Sequence, residues 1–156
     1  MSAVMRPQAA TPEGLVLEMS RFIRASREKV FDAFLNPEAL RIWKCPAGMS
    51  SAQASTSGTV GGPWRVAMRA PDGADFIVGG IYRELARPSR LVFTWQWERG
   101  PMPQAVQTVV EVTLSERDGG TQLDLRHSGF PVAEARDAHG QGWDSTLGKL
   151  TQLTEH

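Results

Sequence analysis

The chain of 156 residues carries 17 basic and 17 acidic side chains, three histidines and no formal net charge at pH 7. That length suffices to bury about two-thirds of the unfolded surface without disulfides or metal, and the arginines are interleaved with acids, which argues against nucleic acid or an anionic membrane as partner. No apolar run approaches the ~18–20 residues of a membrane span, and the single Cys45 suits a reducing compartment, so a cytoplasmic location is expected.

Residues 1–13 contain Pro7 and Pro12 but no apolar h-region, and read as a flexible N-terminal arm rather than a signal peptide. Residues 14–156 are expected to form a single domain. Leu15-Val16-Leu17-Glu18-Met19-Ser20 alternates as a first strand, with Leu15, Leu17 and Met19 inward. Ser26 is placed to cap a helix from Arg27 to Leu35 with Val30, Phe31, Phe34 and Leu35 on one stripe. Asn36-Pro37 ends it and starts a short second helix to about Trp43.

Residues 49–60 are small and polar, so a strand there is expected to be weak and at an edge. Trp64, Val66 and Met68 then alternate with polar or small neighbours as a half-buried strand. After the turn at Pro71-Asp72-Gly73, the next strand runs from Asp75 to Leu85, and Gly79-Gly80 within it suggests a bulge or bend. The strand that follows puts Leu91, Phe93, Trp95 and Trp97 on one face, where each aromatic ring brings ~150–250 Å² that must be covered. Thr108, Val110, Val112 and Leu114 share a face of the next strand. Arg117-Asp118-Gly119-Gly120 is a hairpin turn, and Leu123, Leu125 and His127 share a face of the returning strand. Trp143, Leu147, Leu150 and Leu153 or Thr154 form the stripe of an amphipathic C-terminal helix, with Gly140 and Gly142 flanking its start.

Several segments, taken in this order, resemble one family. They are Val30-Phe31-Asp32-Ala33-Phe34-Leu35-Asn36-Pro37-Glu38 with Trp43, Gly61-Gly62 before Trp64-Arg65, Pro71-Asp72-Gly73 and Gly80-Ile81-Tyr82-Arg83-Glu84. Further along come Leu91-Val92-Phe93-Thr94-Trp95, Gly120-Thr121 with Leu123, His127-Ser128-Gly129-Phe130 and Gly142-Trp143. The chain resembles the START-like, or SRPBCC, helix-grip superfamily that includes the birch-pollen allergen, in the branch named after the activator of the heat-shock-ninety chaperone ATPase. The resemblance implies an α+β fold: a curved antiparallel sheet of about six to seven strands wrapped around a long C-terminal helix, with two short helices between strands one and two. It further implies an apolar cavity between sheet and helix in many members, which range from ligand carriers to cyclases and cochaperone domains. The stretch after Cys45-Pro46-Ala47-Gly48 departs from the family, which commonly has a more acidic and apolar strand there.

The candidate ligand-binding residues are Trp43, Trp64, Met68, Tyr82, Phe93, Trp95, Trp97, His127, Phe130, Trp143 and Leu147. Each ring also serves simply as core; together they suit a pocket of the usual ~300–1,000 Å³ with apolar walls and a few polar groups. His127 ends an apolar face, either as a core-edge histidine bonded to backbone or as a polar group at a cavity mouth. His139 is expected to be exposed. No His-x-x-x-His, cysteine pair or phosphate loop appears, so no metal or cofactor is expected. Cys45 lies among apolar and proline residues with Lys44 as its only basic neighbour, a poor setting for a catalytic thiolate. The expectation is binding of a small hydrophobic or aromatic molecule without covalent chemistry. The alternatives are a cyclase or aromatase using the same cavity, with His127 or Glu84 carrying protons, and a cochaperone-type interaction domain with a chaperone partner. A homodimer is compatible with all three.

Overall fold

The computed structural model describes residues 14–156, so the expected arm at 1–13 lies outside the described residues. In chain order the elements are β1 (Leu15–Ile23), α1 (Arg27–Ala33), α2 (Pro37–Trp43), β2 (Ser50–Thr56), β3 (Pro63–Arg69), β4 (Asp75–Ala86), β5 (Arg90–Arg99), β6 (Gln107–Arg117), β7 (Gly120–Phe130) and α3 (Ala133–Thr154). Among the described residues the strands form one antiparallel sheet in the order β1-β7-β6-β5-β4-β3-β2. Consecutive strands from β2 to β7 pair as a meander, and β1 closes on β7.

Local chemistry sets these boundaries. The Ser26 hydroxyl accepts from the Lys29 amide (3.2 Å) and the Asn36 side-chain oxygen from the Ala39 amide (3.0 Å), so each short helix has one of its free N–H groups satisfied at the start. Pro37 sits in the first turn of α2, where its missing N–H costs nothing. The β6–β7 hairpin turns through Asp118 and Gly119, both at positive φ (48° and 80°), the two-residue geometry that follows the twist of the flanking strands.

Alternation then assigns the faces. Leu91, Phe93, Trp95 and Trp97 of β5 are buried together with Trp64, Val66 and Met68 of β3, Val110, Val112 and Leu114 of β6, and Leu123, Leu125 and His127 of β7. Trp143, Leu147 and Leu150 of α3 join the same core. Fully burying one such Val, Leu or Phe stabilises the fold by about 1.5–3 kcal/mol. The other face carries ion pairs, including Arg65–Glu98 (2.8 Å) and Arg90–Glu111 (2.9 Å). None of the helices is long and apolar enough to cross a membrane.

Three local expectations are corrected. Leu15 is exposed, because β1 is an edge strand and α3 covers it only beyond that end; Leu17 and Met19 are half-buried. The β4–β5 register shifts fall at Ile77/Val78 and Tyr82/Glu84, flanking the glycine pair rather than at it. Gly80 is instead a point of close approach, since a Cβ there would collide with the Thr94 carbonyl. The final helix begins at Ala133, so Gly140 and Gly142 lie within it.

Candidate functional site

Between β3–β5 of the sheet and the middle of α3 the packing leaves a hollow of about 170 Å³. Its walls come from Met68 of β3, Trp95 and Trp97 of β5, Phe76 of β4, Met49 and Pro46 before β2, and Gly142 and Trp143 of α3. A Cβ built on Gly142 meets nothing within 4 Å, so the absence of a side chain on this turn of α3 leaves part of the space open.

Four of the five tryptophans have their indole N–H fixed. Trp43 donates to the Ala33 carbonyl (2.9 Å), tying α2 to α1, and Trp64 to the Thr94 carbonyl (3.2 Å). Trp143 donates to His127 Nδ1 (3.0 Å), so the His127 proton sits on Nε2, which faces the Thr108 hydroxyl at 2.7 Å. Thr108 passes its own proton to the Trp95 carbonyl (3.0 Å). Trp97 donates to His139 Nε2 (3.0 Å), and His139 Nδ1–H donates to the Ala135 carbonyl (2.8 Å). The two imidazoles are thereby locked as opposite neutral tautomers. Burial holds His127 well below its usual range, with His139 and Lys44 acting in the same direction, and burial also lowers His139. Trp95 is the exception: its buried N–H, like the Ser128 hydroxyl, has no partner among the described residues.

The least expected member of the site is Lys44. It follows the last residue of α2 and is only 4% exposed. Its amine lies within 4.6–5.9 Å of six ring centroids, those of Phe34, Trp43, Trp64, Phe93, Trp95 and Trp143. No carboxylate or hydrogen-bond acceptor among the described residues meets it, and burial pushes its pKa down to about 7. The ring faces act the other way, favouring the cation by up to about 2 kcal/mol in a desolvated site. Lys44 lines the hollow, and so do Trp95 and Trp143, the two rings against its amine at 4.9 and 4.6 Å.

Of the sequence-derived candidates, Met68, Trp95, Trp97 and Trp143 line the hollow. Trp43, Trp64 and Phe93 instead surround the Lys44 amine. Tyr82, His127, Phe130 and Leu147 are buried but are not part of the wall. Tyr82 shares a hydrogen bond with Thr56 (2.7 Å), and burial pushes its phenol up to about 12. His139 is buried rather than exposed, because α3 starts a turn and a half before it and turns it inward, one turn ahead of Trp143. Glu84 is exposed and pairs with Arg90 (3.2 Å). Cys45 is buried, and burial pushes its thiol up. Among the described residues no group of three or more histidine, cysteine or acidic side chains is arranged to hold a metal.

Sequence reasoning missed Lys44, Phe76, Met49 and His139. Only His139 left a signal: the spacing His139, Trp143, Leu147 extends the α3 stripe back by one turn.

Comparison with known proteins places this architecture. No curated protein matches the chain. Among solved structures, a protein from Chromobacterium violaceum is 26% identical, with a TM-score of 0.82 over 91% of this chain and 99% of its own. An AHSA1 protein from Silicibacter pomeroyi is also 26% identical (TM-score 0.78; 89% and 96% covered), and an AHSA1-like protein from Aeromonas hydrophila, at 22% identity and TM-score 0.72 over 90% and 92%, shares the fold. The sequence pattern described as "Activator of Hsp90 ATPase homolog 1-like protein" matches residues 24–155, from the turn after β1 to the end of α3 and thus every element that builds the hollow, and the chain belongs to that family.

Proposed function

We propose that this protein binds a small, largely apolar molecule in the hollow between the sheet and α3. The observation that carries the reading is the wall itself: Trp95, Trp97, Trp143, Phe76, Met68 and Met49 give apolar contact, while Lys44 is a polar group beside it. An apolar cavity of ~150 Å³ holds one benzene molecule. At about 170 Å³ the hollow therefore suits a single ring with a short substituent. That is smaller than the ~300–1,000 Å³ common for drug-sized ligands, and too small for the extended substrate of a cyclase. The proton carriers considered for such an enzyme also stand away from the wall, His127 locked behind it and Glu84 on the outside.

Titration with benzyl alcohol tests this, followed through the five indole N–H resonances. Binding in the hollow shifts Trp95, Trp97 and Trp143 and spares Trp43 and Trp64 to first order. Uniform shifts, or none at millimolar probe, overturn the reading. Gly142→Leu, which places a side chain into the open space, should abolish the selective shifts in a folded protein.

A further inference from the structure

Resting on the hollow as a ligand site, we infer that the Lys44 amine is a nucleophile that condenses with the carbonyl of a single-ring aldehyde or ketone bound there, forming an imine.

The geometry singles out this group. The polar side chains on the wall are Lys44, His139 and Thr146. Both nitrogens of His139 are committed, to Trp97 and to Ala135, and the Thr146 hydroxyl turns back to the Trp143 carbonyl (3.4 Å). Lys44 alone has nothing among the described residues to bond, and its amine rests on two of the rings that enclose the space. The residue type also matters. The chain has three lysines among its 17 basic residues, and the rest are arginines. An arginine is permanently charged, whereas a lysine in an apolar site sheds its proton and exposes a lone pair. Burial pushing Lys44 down to about 7 is consistent with that.

The step balances without a further reactant. The nitrogen lone pair adds to the carbonyl carbon, and the C=O π pair moves to oxygen, which takes up a proton as nitrogen gives one up. Nitrogen then forms the C=N bond as the C–O bond breaks, and the oxygen, taking up the second proton that nitrogen releases, leaves as water. In its protonated form the product is a cation at the position of the original ammonium, where the six ring faces favour positive charge. The ring faces thus offset part of the burial cost of the free ammonium and favour the charge of the adduct.

The full chain, incubated with benzaldehyde and sodium cyanoborohydride at pH 7 and mapped by peptide mass spectrometry, tests the inference. Lys29 and Lys149 are standards within the same molecule; their amines donate to the His156 and Cys45 carbonyls. Only a neutral amine condenses and burial lowers Lys44, so Lys44 should be alkylated at least about tenfold faster than either. Equal or slower labelling of Lys44 overturns the proposal. Lys44→Met and Lys44→Arg, each checked for folding by circular dichroism, should both lose the fast adduct. Binding of benzyl alcohol without fast labelling of Lys44 by benzaldehyde sinks the imine and leaves the ligand site standing. Absence of both sinks the two together.

Discussion

The two ends of the layer between sheet and α3 are built differently. At one end Leu91, Val112, Leu114, Leu123, Leu147 and Leu150 are nearly or wholly inaccessible, and aliphatic side chains fill the space. At the other, rings, thioethers, a lysine and a helical glycine surround a hollow of about 170 Å³. Branched aliphatic chains interlock and close up, as close-packed interiors do. Flat rings held by hydrogen bonds at their edges stay in place without filling every gap, because Trp97 and Trp143 are fixed by His139 and His127 rather than by packing alone. Stability is thus concentrated at the aliphatic end, and the aromatic end is free to trade packing for a binding space.

Truncations sharpen that contrast. Leu147→Ala, in the filled end, should cost about 3–5 kcal/mol in urea denaturation, as deletions of wholly buried leucines do. Trp95→Ala removes a much larger side chain, yet should cost only about 2–3 kcal/mol, because one side of the ring already borders the hollow. If Trp95→Ala proves the costlier, the contrast between the two ends is wrong.

Lys44→Met should act in the opposite direction, raising stability at pH 7 by about 2 kcal/mol once the ring faces are set against the burial cost. The gain has a pH signature. The native amine titrates at about 7 and the unfolded one near 10.5, so between those values the unfolded chain holds more protons and wild-type stability climbs with pH. The advantage of Lys44→Met should therefore shrink from pH 7 to pH 10 and be constant below about pH 6. On the acid side His127 and His139, both lowered by burial, take up protons mainly in the unfolded chain. Wild type should accordingly lose stability as pH falls below about 6.5, and replacing both histidines should flatten that limb of the profile.

The smallest effect belongs to Gly142→Ala. It should gain up to about 1 kcal/mol in thermal denaturation, since the new methyl group meets nothing and alanine favours the helix. The same variant should weaken benzyl alcohol binding, because the methyl group enters the space the probe needs.

Most of the fold is legible in linear order because each strand's face is written by its own alternation, and each short helix by its own cap. Leu91-Phe93-Trp95-Trp97 and Ser26 are of that kind. The site is less legible because its chemistry is assembled from distant parts of the chain. Beside Trp43 and Cys45, Lys44 reads as an ordinary basic residue closing a helix, where it would favour the dipole. Its confinement depends on Trp64, Phe93, Trp95 and Trp143, brought in from β3, β5 and α3. Likewise Phe76 is one half-buried residue of β4 until the sheet turns it toward Trp97, 6.3 Å away between ring centroids.

The uneven treatment of the indoles has a practical consequence. Three emitters touch the hollow while two sit apart from it, and Trp97 and Trp143 each lean on an imidazole. Intrinsic fluorescence therefore doubles as a gauge of occupancy and of acid, with Trp95 as the chromophore whose surroundings an incoming guest alters most.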